Sequence, residues 1–266
     1  MPLVVCATPI GNLEDVTLRV LAELRAADVV LCEDTRHTRR LLARHGIEAR
    51  LLSYHEHNEA ARTAELLPRL EAGERIALVS DAGMPGINDP GARIVRAALD
   101  ADVLVTVLPG ASAVETALVA SGLVGERYQF LGFLPRGQKA LAELWAELDA
   151  SPWPAVAFES PRRLPATLRS LAAADAERAV AVCRELTKRF EEVVRGTAAE
   201  LEAHFAEPPK GEITLVVGPG RHEVDETSAL AAVAELVAAG VPRKRAALLV
   251  ARLTGVPRNR LYSGSL

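Results

Sequence analysis

Residues 76–112 read IALVSDAGMPGINDPGARIVRAALDADVLVTVLPGAS. A short apolar run at 76–80 leads into a loop dense in Gly, Pro and Asp. An amphipathic stretch at 91–101 follows, and a β-branched run at 103–108 ends in Pro109-Gly110. Strand, loop, helix and strand in that order predict a βαβ unit and therefore a parallel pair. The same texture extends upstream. Runs at 3–7 and 29–32 read as strands, and 18–26, 35–45 and 59–72 read as helices, the last with Ala60, Ala64 and Leu67 at helical spacing. The first half is α/β with a mainly parallel sheet.

Downstream the texture changes. A helix at 112–121 is followed by apolar runs at 128–134, 155–158, 179–183, 193–195 and 213–217, with helices at 139–148 and 163–172 between some of them. The later runs sit close together, which predicts a second α/β domain with more antiparallel pairing. From Thr227 the pattern is helical, with 230–239 stopped by Gly240-Val241-Pro242 and 244–254 stopped by Gly255-Val256-Pro257. These two helices read as a helix-turn-helix or as a capping hairpin. The expected division is an N-terminal α/β domain at 1–113, a second at 114–225 and a helical tail at 226–266.

The chain has 266 residues, 49% of them apolar, with 35 acidic against 31 basic side chains. That composition belongs to a folded soluble protein and excludes collagen-like, disordered and disulfide-stapled classes. No apolar run is long enough to span a membrane, and no basic segment precedes the apolar start as in a secretory signal. Cys6, Cys32 and Cys183 are three widely spaced cysteines, as in reduced cytoplasmic thiols. A net charge of −4 argues against general nucleic-acid coating and leaves room for a local basic site.

Three loops at strand ends could face one ligand. The first is Ala7-Thr8-Pro9-Ile10-Gly11-Asn12. The second runs from Ser80 to Gly91, and in it Asp81 reads as the ligand contact, whereas Asp89 reads as a helix cap with Pro90 at the first helical position. The third is Pro109-Gly110-Ala111-Ser112-Ala113, where Ser112 suits a cap and the backbone amides suit a ligand. Together they predict a cleft at the carboxyl ends of parallel strands. Glu33 and Asp34 run into a helix carrying Arg36, Arg39 and Arg40 in its first turns. Cations there oppose the helix dipole, so they suit phosphate, while Asp34 suits a cap. His55-Glu56-His57 lacks a third ligand at a metal-site spacing, and no metal is expected. The segment from Arg184 to Arg189 and the pair Gly211-Glu212 could face the cleft from the second domain. No nucleophile elbow, phosphate loop or spaced Cys set is present.

In order, ATPIGNLEDVTLR, CEDTRHTRRLL, SDAGMPGINDPG, LPGASAVETALVASGL, GFLPR, FESPRRL, RELTKRFEEVVRGT and KGEITLVV resemble the small-subunit ribosomal RNA 2′-O-methyltransferase I group of the tetrapyrrole (corrin/porphyrin) methylase superfamily. The resemblance runs from about Leu3 to Val217 and is weaker in the tail. It implies a two-domain class III methyltransferase fold with S-adenosyl-L-methionine folded between the domains, in a homodimer. It also implies methylation of a cytidine ribose 2′-hydroxyl in 16S ribosomal RNA of the small subunit. On this reading Pro9, Gly11, Asp81, Ala82, Gly83, Met84, Pro85, Ser112, Ala113, Glu185 and Gly211 line the cofactor site. Met84 stands where the group commonly has Thr, Asn88 where it has Ser and Cys32 where it has a small residue.

A ribose hydroxyl is a poor acid, so a base or acceptor should help. Glu33, Asp34 and Glu185 are the candidates, with Arg36 or Lys188 anchoring phosphate or stabilising the developing alkoxide. Beyond Gly240 the tail carries Arg243, Lys244, Arg245, Arg252, Arg258 and Arg260 and no acid, a patch suited to RNA. Arg36, Arg39, Arg40, Arg243, Lys244 and Arg245 are the expected RNA contacts. Two other readings fit the same residues: a methyltransferase of this fold acting on a tetrapyrrole or other small molecule, and a ligand-sensing regulator that binds nucleic acid.

Overall fold

Short β-branched runs buried on both faces pair side by side only where helices cover the sheet. That condition is met by β1 (Leu3–Cys6), β2 (Val29–Cys32) and β4 (Ile76–Val79), while the less buried β3 (Leu51–Ser53) and β5 (Val105–Leu108) are the edge strands. In the computed structural model, which describes residues 2–220, 226–254 and 256–264, these strands form one sheet in the order β3-β2-β4-β1-β5. Every pairing in it is parallel. The helices α1 (Leu18–Ala26), α2 (Thr35–Arg44), α3 (Glu59–Glu71) and α4 (Ala92–Asp100) connect the strands. Alternate side chains feed two cores. Val4, Cys6, Val30 and Val79 pack with α1 and α2 residues, while Leu3, Val5, Leu31 and Leu78 pack with α3 and α4 residues. β4 returns between β2 and β1, and β5 adds on the far side of β1. The order thus sets the ends of β4, β1 and β5 next to one another.

α5 (Ala113–Ser121) leaves the first sheet and packs on the second. The second sheet holds β6 (Gln129–Phe133), β7 (Ala155–Glu159), β8 (Ala179–Arg184), β9 (Glu192–Thr197) and β10 (Ile213–Val217) in the order β6-β7-β10-β8-β9. Only β6–β7 is parallel, and the other three pairings are antiparallel. α6 (Gln138–Asp149), α7 (Leu164–Ala174) and α8 (Ala198–His204) cover its outer face around Leu141, Trp145, Leu168 and Leu201. Its inner face buries Val156, Ala181, Cys183 and Val216 against Val114, Ala117 and Leu118 of α5. Ile10 from the turn after β1 joins this cluster, so it ties the two sheets together.

The tail consists of α9 (Glu226–Ala238), α10 (Arg243–Thr254) and α11 (Arg258–Gly264). It closes its own core of Ala229, Val233, Ala246, Ala247, Val250, Val256 and Leu261. Gly240, at φ +88°, makes the turn between α9 and α10. Gly255 and the expected boundary after residue 225 lie outside the described residues.

β3, α8 and α11 have no counterpart among the expected elements. They are three, seven and seven residues long, too short for periodicity to separate them from loop. Two expected caps are also corrected. α4 begins at Ala92 with Gly91 as its N-cap at φ +140°, so Asp89 is not the cap and Pro90 lies before the helix. Ser112 does hold the N-cap position of α5, but its hydroxyl donates to the Glu115 carboxylate and caps no amide.

Candidate active site

The turn after β1 and the loop after β4 are stitched together first. Thr8 and Gly83 exchange backbone hydrogen bonds of 2.9 and 3.1 Å, and Thr8 Oγ1 donates to the Ser80 carbonyl at 3.0 Å. Gly83, at φ +79°, supplies a backbone that other residues adopt at a cost. Against this platform the second domain closes a cavity of about 550 Å3. One wall is Ile10, Ala82–Met84 and Ile87–Asp89, with Ser112–Glu115 at the start of α5. Its second-domain wall is Tyr128, Phe130, Phe133, Phe158–Pro161, Cys183, Leu186 and Gly211–Thr214. That volume and a largely apolar lining with a few polar groups suit a small ligand.

The aromatic wall was not anticipated. Phe130 and Phe133 meet the Phe158 ring edge-on, with centroids 5.2 and 5.5 Å apart. Tyr128 adds a hydroxyl that donates to Glu115 at 2.8 Å. Four of the ten aromatic residues in the chain therefore line one cavity, which in so aromatic-poor a sequence was a readable signal. Asn88, Asp89, Glu159 and Thr214 are further lining residues that motif reading did not single out for ligand contact. Cys183 also lines the cavity, and burial pushes its thiol up to about 11, so it stays protonated.

Of the expected cofactor residues, Ala82, Gly83, Met84, Ser112, Ala113 and Gly211 line the cavity; Pro9, Gly11, Asp81, Pro85 and Glu185 do not. Gly11 and Gly211 instead make room for the turn of residues 185–188. A Cβ on Gly11 would lie 2.5 Å from Lys188 Cγ and 2.8 Å from the Leu186 carbonyl, and one on Gly211 would collide with the Glu185 side chain. Glu185 and Thr187 hold positive φ of 52° and 65° there, and Thr187 Oγ1 accepts from the Asn12 amide at 3.0 Å. The turn is thus a wedge between the domains. Within it Glu185 accepts from Lys188 Nζ at 2.8 Å and from the Glu212 amide at 3.0 Å. The Lys188 bond holds the Glu185 carboxyl below the usual range. Burial disfavours the Lys188 charge, yet its bonds to Glu185 and Glu212 outweigh this and raise its pKa.

At the end of β2, Asp34 caps α2 by accepting from the Arg36 amide at 2.8 Å, and the Arg36 guanidinium grips the same carboxylate at 2.7 Å. These bonds hold Asp34 down to about 2, which makes it a poor proton acceptor at neutral pH. Glu33 is pushed up, by burial first and by Asp81 second. Asp81 in turn accepts from the Asp34 amide at 3.1 Å, which joins the β2 and β4 loops. Arg39 and Arg40 are exposed on α2. His55 Nε2 lies 3.2 Å from the Asn58 amide nitrogen. On the tail, Lys244 and Arg245 are exposed in the first turn of α10, while Arg243 binds the Tyr262 carbonyl and stacks on its ring at 5.0 Å.

The tetrapyrrole (corrin/porphyrin) methylase profile matches residues 2–202, three quarters of the chain and both walls of most of this cavity. The chain belongs to the tetrapyrrole methylase family. It is accordingly a methyltransferase. The RsmI C-terminal HTH domain profile matches residues 223–263, which favours the helix-turn-helix reading of the tail over the capping hairpin. Among relatives in this family, the ribosomal RNA small subunit methyltransferase I of Mesorhizobium japonicum is 46% identical, covering 96% of this chain and 88% of that protein. The protein of the same name from Micromonospora olivasterospora is 45% identical over 96% and 83%. Among solved structures, uroporphyrin-III C-methyl transferase from Thermus thermophilus, complexed with S-adenosylhomocysteine, shares the tetrapyrrole methylase fold. Its TM-score is 0.55 at 18% identity, covering 82% of this chain and 97% of that one.

Proposed function

We propose that this chain transfers the methyl group of S-adenosyl-L-methionine to the 2′-hydroxyl of a cytidine ribose in 16S ribosomal RNA of the small subunit. The cavity between the two sheets is the observation that carries the reading. Its volume, its aromatic wall and its carboxylates fit a donor with an adenine ring and a positively charged sulfur. Ala82, Gly83, Met84, Ser112, Ala113 and Gly211 hold that donor. When bound, it supplies an electrophilic methyl. The protein then has to hold the hydroxyl about 3–3.5 Å from that carbon and exclude water. The names of relatives at 45–46% identity support ribosomal RNA as the acceptor.

Arg39 and Arg40, exposed on the second turn of α2, and Lys244 and Arg245 on α10 contact phosphates. The cations in the first turn of α10 work against the dipole and need another reason to be there. Arg36 joins these contacts from beside its partner Asp34. Residues 1–113 and 114–225 are the two domains that enclose the cavity, and 226–266 docks the RNA. A homodimer in the cytoplasm completes the reading, supported by exposed Leu104 and Val107 on the edge strand β5 and its approach. Among the described residues no helix is long and apolar enough to cross a membrane.

The test is to map ribose methylation in small-subunit RNA from cells with and without the gene, and to offer labelled donor to small subunits and to a tetrapyrrole mixture in parallel. Label in the subunit RNA, at a ribose unmodified in the deletion strain, is expected. Label in the tetrapyrroles alone would overturn the reading.

A further inference from the structure

Four carboxylates line the cavity, and three are engaged elsewhere. Glu115 accepts from the Ser112 and Tyr128 hydroxyls. Glu159 accepts from Thr167 Oγ1 and the Ser160 amide, with Arg163 at 3.4 Å. Glu212 pairs with Lys188 at 2.9 Å. Asp89 stands apart. It forms no ion pair among the described residues and it does not cap α4, while the nearby Ser80 hydroxyl donates to the Ala82 and Gly83 carbonyls.

The loop around Asp89 is held firmly. Asn88 on one side takes a positive φ of 59°, and Gly91 takes φ +140° two residues beyond. The Asn88 amide packs on Gly132 of β6, where a Cβ would come within 3.0 Å of Asn88 Oδ1. Backbone strain of this kind persists where surrounding structure enforces it, and it clusters at functional sites. Here it fixes a half-buried carboxylate on the cavity wall and pins that wall to the second domain.

We propose that Asp89 is the general base of methyl transfer, accepting the 2′-hydroxyl proton as the ribose oxygen attacks. This rests on reading the cavity as the transfer site. The oxygen–methyl bond forms while the methyl carbon–sulfur bond breaks, and the electron pair of that bond stays on sulfur and cancels its positive charge. The proton passes to Asp89 and later to water. Glu33 and Asp81, from the β2 and β4 loops, tune the base without touching the substrate. Burial first, and then the negative charges of Glu33 and Asp81, push Asp89 up to about 6, while the Ser80 hydroxyl pulls the other way. Around Glu33 itself stand Asp81, Asp34 and Glu56, which raise its pKa, and His55, which lowers it. A carboxylate near 6 is a better base than an ordinary one and is still largely ionised at neutral pH.

The experiment compares wild type, Asp89→Asn and Glu33→Gln in single-turnover methylation of unmodified small subunits, and titrates the Asp89 carboxyl by 13C NMR in the protein alone. Asp89→Asn is expected to slow transfer by about 10²-fold or more with donor and subunit affinities retained. The wild-type rate should fall toward acid, and Glu33→Gln should shift both that limb and the NMR midpoint to lower pH. A rate for Asp89→Asn within about threefold of wild type overturns the assignment, as does a limb that Glu33→Gln leaves in place. Wild type that methylates no ribosomal RNA overturns the function reading and this role with it. The NMR titration and its shift would then still report the Asp89–Glu33 coupling by itself.

Discussion

Asp89 sits in a segment, Asn88-Asp89-Pro90-Gly91, whose residue types suggest a helix start, and the backbone breaks that pattern at Gly91. The carboxyl freed by the break has a stability cost of its own. Its folded pKa of about 6 lies above the ordinary value of 3.8, so folding favours the protonated form. That contribution is present below about pH 4 and is lost as pH rises through about 6. Asp89→Asn, which cannot ionise, should therefore be more stable than wild type at pH 7–8. After discounting for partial solvent exposure the gain is about 1–2 kcal/mol. Urea unfolding at pH 7.5 and at pH 4 checks this, and the gain should vanish at the lower pH. Glu185 carries the opposite sign. Its pKa is lowered by Lys188, so its contribution is present at neutral pH and is lost as pH falls through its folded pKa. Glu185→Gln should be destabilised near pH 7, and the difference should close in acid. Glu185 and Asp34 both carried the right chemistry in sequence, but each has a partner that sequence spacing did not reveal as exclusive. Asp34 is held within its own turn, and Glu185 is held by Lys188 and by the amide of Glu212, 27 residues away.

Many element boundaries were legible because most strands are runs rich in Val and Ile, unlike Leu-Leu-Ser of β3, and turn residues fall near most of their ends. β2, α1 and β10 have the expected bounds. How the elements dock was not legible, and the Glu23–Arg75 pair illustrates it. Glu23 on α1 is only 5% exposed and is held by Arg75, beside β4, through bonds of 2.6 and 2.5 Å. Removing the guanidinium leaves a buried carboxylate unpaired, so Arg75→Met should cost about 3 kcal/mol in chemical denaturation. The double variant Glu23→Leu with Arg75→Met should recover most of that loss. On the tail, Lys244→Ala combined with Arg245→Ala should weaken subunit binding and reduce the slope of log affinity against log salt by about 1.5. Arg243 belongs with the fold of the tail, because it ties α10 to Tyr262 of α11.

At the scale of the molecule, two sheets share one inner core while the tail helices close their own. Deleting 227–266 should therefore leave donor affinity within about threefold by calorimetry while weakening small-subunit binding far more, since phosphate contacts supply much of RNA affinity. Equal losses in both would mean that the two α/β domains need the tail to fold.

Local chemistry alone determined the alternation of strands and helices, the Gly- and Pro-rich loops at their ends and the basic run that opens α10. Periodicity, turn residues and charge are properties of neighbouring residues. Strand order was decided only in three dimensions, by β4 slipping between β2 and β1 and so bringing together three loops separated by up to about a hundred residues. The long-range partners of carboxylates such as Glu23 and Glu185 were decided there too. Hydrogen bonding and burial depend on groups distant in sequence, and this is why Asp89, read from its neighbours as a cap, became the carboxylate left facing the cavity.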